Sequence, residues 1–334
     1  MNEKDVQKLS VLKDDLEKFI NNIHKYENLV ELSLYNLRLT ECPKEICEMS
    51  NLKILDLSCN EFSELPEEME KLSKLEKLDL SANPLKKIPS VVCKLINLKE
   101  LAFWDSDLSE IPKDINKLCN LETLILSDNY KIREFPKEIL QLSNLKTLLL
   151  TDTNIGELPK EIEKLINLQD LQLPTSGITK LPVEIGNMIN LERIILWGNR
   201  LTELPKEIDK LSNLEEIGLS SNELKEFPKQ ILKLNKLRRI DLRSNMIKEI
   251  PKGIGELFNL ETLELSYNRL IEIPSEIGKL HKLEMLDVSN NQLTDIPIEL
   301  GKLKNLFILD LRRNMIKDIP EEIRQLPKLD ELNI

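Results

Sequence analysis

His24 and His281 are the only histidines in the 334-residue chain, and they stand near its opposite ends. Catalysis needs a nucleophile, a base and an orienting group that converge, and these two imidazoles do not converge with anything. No Gly-x-Ser-x-Gly elbow occurs. Gly253-Ile254-Gly255 is a glycine pair, but no strand leads directly into it and no Lys-Ser/Thr follows it, so it is not a phosphate loop. The 58 acidic residues are spread along the chain rather than gathered. The five cysteines (Cys42, Cys47, Cys59, Cys93, Cys119) are odd in number and contain no Cys-x-x-Cys pair, which argues against a disulfide framework. The sequence therefore predicts no catalytic residues, no metal and no cofactor. The chemistry left is non-covalent recognition, and its candidates are the two tryptophans, Trp104 and Trp197.

The elements that position them recur. Leu52, Leu55, Leu57, Asn60, Phe62, Leu65, Pro66, Met69 and Leu72 hold the same places as Leu75, Leu78, Leu80, Asn83, Leu85, Ile88, Pro89, Val92 and Leu95, 23 residues later. The first leucine of this unit returns from Leu29 to Leu329, which makes thirteen repeats and a terminal half-repeat. Self-similarity at one period marks a repeat architecture. Leu78 and Leu80 alternate with Lys77 and Asp79, the period-two signature of a strand. The chain returns in the same sense at each turn, so successive strands pair in parallel. Proline at position fifteen, from Pro43 to Pro320, fixes φ and opens a short helical segment whose aliphatic residues close the core. The asparagine at position nine reads as structural, its amide serving the backbone of a tight turn. That column fails at Leu37, Ser106, Thr153 and Ser176, and the fifth repeat carries one extra residue around Asn129-Tyr130-Lys131-Ile132.

The unit resembles the leucine-rich repeat of the 23-residue class, over roughly nine-tenths of the chain. Its Pro-x-Glu-Ile flavour (Pro43 to Ile46, Pro136 to Ile139, Pro159 to Ile162) is similar to Ras-suppressor-like repeat proteins and to those of pathogenic spirochaetes. The resemblance implies an α/β horseshoe solenoid, with a parallel sheet on the concave face and short α or 3-10 helices on the convex face. It also implies non-catalytic protein recognition. Residues 1–28 are expected to form an N-terminal helical cap, because Val6, Leu9, Leu12, Leu16, Phe19, Ile20 and Ile23 make one stripe at helical spacing. Residues 29–334 form the solenoid. The apolar half-repeat at Leu329, Leu332 and Ile334 is expected to close its own end.

Within this frame position five lies on the exposed face of the sheet. It reads Ser33, Asp56, Asp79, Ala102, Ile125, Leu149, Gln172, Ile195, Gly218, Asp241, Glu264, Asp287, Asp310, Asn333, acidic at the ends and apolar in the middle. Position seven on the same face carries both tryptophans. Exposed apolar surface rimmed by charge marks interaction sites, and tryptophan is a preferred anchor. The expected partner-binding patch is Trp104, Ile125, Asp128, Leu149, Asp152, Arg193, Ile195 and Trp197. Four repeats at sheet spacing separate the indoles by about 19 Å, which suits a protein surface better than one small ligand. A second, charged patch comprises Arg239, Asp241, Arg243, Glu264, Asp287, Asp310 and Arg312. Cross-strand ion pairing explains it first, and recognition of a mixed-charge partner is the alternative.

A formal charge of -11 argues against nucleic-acid binding, which needs clustered cations. No apolar run has transmembrane length, and Met1-Asn2-Glu3-Lys4-Asp5 lacks a secretory signal's apolar region. The sequence thus predicts a monomeric cytoplasmic adaptor for a protein partner. The alternative is a secreted or surface binder of host proteins or polysaccharides.

Overall fold

The computed structural model describes residues 7–334. It divides into two compact units, Met1–Ile155 and Gly156–Ile334. In the first, the strands are β1 (Lys8–Ser10), β2 (Glu31–Ser33), β3 (Ile54–Asp56), β4 (Lys77–Asp79), β5 (Glu100–Ala102), β6 (Thr123–Ile125) and β7 (Thr147–Leu149). In the second they are β8 (Asp170–Gln172), β9 (Arg193–Ile195), β10 (Glu216–Gly218), β11 (Arg239–Asp241), β12 (Thr262–Glu264), β13 (Met285–Asp287), β14 (Ile308–Asp310) and β15 (Glu331–Asn333). Within each unit, neighbours pair in parallel and in chain order, as in Leu55↔Leu78 and Ile217↔Ile240. The middle residue of each inner strand is buried and its two flanking residues mostly stand on the other face, so the alternation read from Leu78 and Asp79 is realised.

From Lys44–Glu48 to Ile298–Lys302, each return segment is a five-residue 3-10 helix behind its proline, such as Lys206–Lys210 after Pro205. The Ile208 N–H donates to the Pro205 carbonyl at 3.2 Å and the Leu211 N–H to the Ile208 carbonyl at 3.1 Å, the tight i→i+3 pattern. Pro205 itself is extended, so it sets the entry to the turn and leaves the helix to the residues after it. Ile208, Leu211 and Leu214 are fully buried and tie the return segment to the next strand.

The asparagine column is a buried ladder. Asn222 Oδ1 accepts from the Leu201 N–H at 2.9 Å, while Nδ2 donates to the carbonyls of Leu196 (2.9 Å) and Leu219 (3.0 Å). Each asparagine thereby fastens its own turn to the preceding one. At three of the four positions where the column changes, hydroxyls serve: Ser106 donates to the Leu80 carbonyl, Thr153 to that of Leu150 and Ser176 to that of Pro174. The extra residue of the fifth repeat is absorbed in a turn closed by the Ile132 N–H on the Asn129 carbonyl at 3.0 Å, with Tyr130 exposed at its tip.

One expected element is different. Val6 lies outside the described residues, and the helix expected from there to Ile23 is confined to α1 (Leu16–Asn21), flanked by 3-10 turns. Residues 8–10 are instead a strand, with Leu9 paired to Leu32. The helical stripe would bury Leu12, which is exposed, whereas Val11 is buried opposite it. Leu9 and Val11 precede Leu32 and Leu34 by one 23-residue period, so the repeat begins one turn before Leu29. At the C-terminal end α2 (Glu321–Arg324) replaces a 3-10 segment. Leu332 of β15 is half-buried and Ile334 exposed, so the half-repeat leaves part of its apolar edge open.

Candidate binding face

The candidate residues stand at the flanking positions of strands and in the turns that follow them, and each unit arranges them in its own way. In the second unit, position three reads Asp170, Arg193, Glu216, Arg239, Thr262 across β8 to β12, an alternating row of charge. In-register parallel strands bring such residues about 4.8 Å apart. Arg193 resolves its choice of neighbour towards Glu216: Nη2 donates to Oε1 at 3.4 Å, and Nε stands 3.1 Å from Oε2 without forming a hydrogen bond. Asp170 lies 3.9 Å from Arg193 on the other side. Burial pushes the Asp170 carboxyl above its ordinary range, and a hydrogen bond from Gln172 opposes that rise.

Position five of the same strands reads Gln172, Ile195, Gly218, Asp241, Glu264. Gly218 has no side chain to fill its place in the row, and Ile195 leans towards it. A Cβ built at 218 would stand only 3.0 Å from Ile195 Cδ1. This corrects the expectation that Ile195 faces solvent: it is 8% exposed, folded over the gap that the glycine leaves. Beyond it Trp197 is 41% exposed. The gap opens into a pocket of about 370 Å³ on the strand face, lined by Arg193, Ile195, Trp197, Glu216, Gly218, Arg239, Asp241, Arg243, Thr262 and Glu264.

Arg243 holds the acids at the far wall. Its Nη2 donates to Asp241, at the end of the strand just before it, at 2.8 Å, and its Nε lies 3.0 Å from Glu264 on the next strand. Those hydrogen bonds to Asp241 raise the guanidinium further above its ordinary value. Burial pushes the Glu264 carboxyl up; Arg243 pulls it back, and the charges of Asp241 and Asp287 add to the rise. Further along, Arg312 pairs with Asp310, which is buried beneath it. The expected pairing from one repeat to the next thus holds for Arg243 with Glu264, while the Arg312 pair lies within one repeat and Arg239 has no carboxylate within ion-pair distance among the described residues. Glu216 is committed to Arg193, and the neighbour of Arg239 on its other side is Thr262, which explains the vacancy.

In the first unit Ile125 and Leu149 are paired neighbours, both half-buried on the strand face, with Ala102 buried beside Ile125. Trp104, at position seven, is 44% exposed. Asp128, Asp152 and Asp105 each adopt a left-handed backbone at the turn after the strand. Burial pushes the Asp128 carboxyl up; a hydrogen bond from Trp104 opposes this, and the charge of Asp152 reinforces it. The Tyr130 hydroxyl donates to Asp128 Oδ1 at 3.3 Å.

The strand-face pocket joins residues that sequence reasoning assigned to two patches: Arg193, Ile195 and Trp197 from one, Arg239, Asp241, Arg243 and Glu264 from the other. Glu216, Gly218 and Thr262 were not singled out. The available signal was Gly218, the one glycine in the position-five column. His24 and His281 are exposed in different units and join neither arrangement.

Parallel strands in chain order, 3-10 returns and a buried asparagine ladder define a repeat scaffold, a class that typically serves protein recognition without catalysis. The sequence matches the model of the leucine-rich repeat region over residues 6–124, 144–239, 184–267 and 252–334, and the chain belongs to the leucine-rich repeat family. A solved leucine-rich repeat protein of Leptospira interrogans is 34% identical, with a TM-score of 0.90 and coverage of 98% of this chain and 89% of that one. The plant peptide hormone receptor RGFR1, solved in complex with RGF2, is 32% identical at a TM-score of 0.74; 98% of this chain is covered but only 57% of the receptor's. An internalin of Listeria monocytogenes shares the fold at 20% identity, with a TM-score of 0.81 and coverage of 96% and 93%. No curated protein matches the sequence. No helix among the described residues is long and apolar enough to cross a membrane.

Proposed function

We propose that this protein is a recognition scaffold that binds a protein partner on the exposed face of its strands, without chemistry of its own. The observation that carries this is the strand-face pocket, where a half-exposed indole and three guanidinium groups surround a gap made by Gly218. Aromatic and arginine side chains around a concave spot are what hot spots are made of. The strands that hold them are fixed on both sides by neighbouring turns, so little conformational freedom is lost on binding. The plant receptor solved with RGF2 supports the reading, since it shares this fold over nearly the whole of the present chain. Ile125, Leu149 and Trp104 on the strands and turns of the first unit form a separate patch suited to the same use.

The test is the affinity of an isolated partner for variants that keep the fold. Trp197→Ala together with Arg239→Glu should weaken binding by at least about tenfold, while a matched change on the return segments, Ile189→Ala, should leave it unchanged. Equal affinity for all three proteins would refute the proposal. The five unpaired cysteines, three of them buried, suit a reducing compartment. We therefore favour an intracellular adaptor over a secreted binder, and cell fractionation distinguishes the two.

A further inference from the structure

The proposed recognition role leaves open what chemistry the strand-face pocket selects, and the pairing of its charges answers that. Every carboxylate in the lining already has a cation. Glu216 is held by Arg193, and Asp241 and Glu264 are both held by Arg243. The uncommitted groups are donors. Arg239 is exposed and has no ion-pair partner among the described residues, and the Thr262 hydroxyl beside it in register makes no hydrogen bond among them either. An incoming cation would have to break an existing pair, whereas an anion meets a free fork of N–H groups. Ile195, Trp197 and the bare Gly218 backbone make the opposing wall apolar. A hydrogen-bonded ion pair beside such a wall is stronger than one in open water.

We infer that the gap over Gly218 is a subsite for a carboxylate carried on an apolar stem, with Arg239 and Thr262 taking the carboxylate and Trp197 and Ile195 the stem. The inference rests on the recognition role proposed above. A polypeptide can present this chemistry as an acidic side chain beside an apolar one, or as a free chain end on an apolar residue.

The chain's two tryptophans make the test direct. Fluorotryptophan labelling gives two fluorine resonances, assigned through Trp104→Phe and Trp197→Phe. The probes are phenylpropionate and its uncharged amide, then acetyl-Phe-Glu-amide and acetyl-Gln-Phe with a free carboxyl end, which separate the two sources. Ligands of this size bind with a dissociation constant on the order of millimolar. The acids should shift the Trp197 resonance saturably and leave that of Trp104 in place. The amide should bind at least about tenfold more weakly, and Arg239→Gln should weaken the acids by a similar factor, as expected for loss of a charged hydrogen bond. Gly218→Val should close the subsite, and the surface change Arg239→Gln keeps the test valid if that variant folds poorly. Equal binding of acid and amide, or indifference to Arg239→Gln, overturns the subsite. If the acids fail while a protein partner still depends on Trp197, the subsite is wrong and the recognition role stands. If partner binding is also indifferent to Trp197 and Arg239, both are wrong.

Discussion

Replacing Asn222 by alanine tests the load on the buried ladder. The side chain is nearly inaccessible, and among the described residues its carbonyl oxygen is the only hydrogen-bond acceptor for the Leu201 N–H. Its two amide hydrogens are shared among three carbonyls that depend on it less: Leu196 also accepts from Asn199, Leu219 from Asn245, and Ser220, 3.3 Å away, from the Gly198 N–H. The substitution therefore orphans one buried N–H, at about 1–3 kcal/mol, and removes two further bonds at about 0.5–1.5 kcal/mol each. The sum is about 2–6 kcal/mol, with the low end favoured because water can enter beside a shortened side chain. Asn213, the last residue of the preceding repeat, is a nearby control. Its Nδ2 donates to the Ile189 carbonyl at 2.9 Å, the same kind of bond at the same length, but in an exposed setting. Asn213→Ala should cost no more than about 0.5–1 kcal/mol. Urea titration followed by circular dichroism measures both, with slopes compared because repeat arrays can lose two-state cooperativity. A midpoint for Asn222→Ala equal to that of Asn213→Ala would refute the ladder as a source of stability.

Three further outcomes are expected. Gly186→Ala should destabilise by about 1–3 kcal/mol, because its Cβ would meet the Glu207 backbone carbonyl at 2.4 Å, and a normal urea midpoint would contradict this. Asp128 binds its proton more tightly folded than unfolded, chiefly because it is desolvated, so stability should fall as pH rises from the ordinary carboxylate range through its raised value; Asp128→Asn should flatten that part of the pH–stability curve, and an unchanged curve would exclude Asp128 as its origin. Of the five thiols, Cys119 alone is exposed, whereas burial pushes Cys42 up to about 12 and Cys47 and Cys93 to about 11. A thiol reagent at neutral pH should label Cys119 rapidly and these three only on unfolding, as read by mass spectrometry.

The architecture was legible because its causes are local and repeated. Leu78, Asn83 and Pro89 each state their role through residue type, and the next repeat restates it at a fixed interval. The misread stretch was the one where two periods coincide: Leu9, Leu12 and Leu16 satisfy helical spacing, while Leu9 and Val11 satisfy the alternation of a strand. Pairing with β2 decided between them, and that is a tertiary event. At the binding face the tryptophans were found by column, since position seven follows the strand on its exposed side. The pocket was not, because it arises from a missing side chain and from the way Ile195 fills the space. Which carboxylate each arginine chooses is likewise a matter of rotamer and neighbour. Alternating charge at position three is visible in the sequence, but the isolation of Arg239 follows only once Arg193 has taken Glu216.

The central claim is that partners meet the strand face, and site-directed photo-crosslinking tests it most directly. Benzoylphenylalanine would replace Trp197 on that face in one protein and, in another, Ile189, which is more exposed and lies in the turn after a return segment. The account predicts a crosslink to the partner from position 197 and none from position 189; the reverse pattern would contradict it.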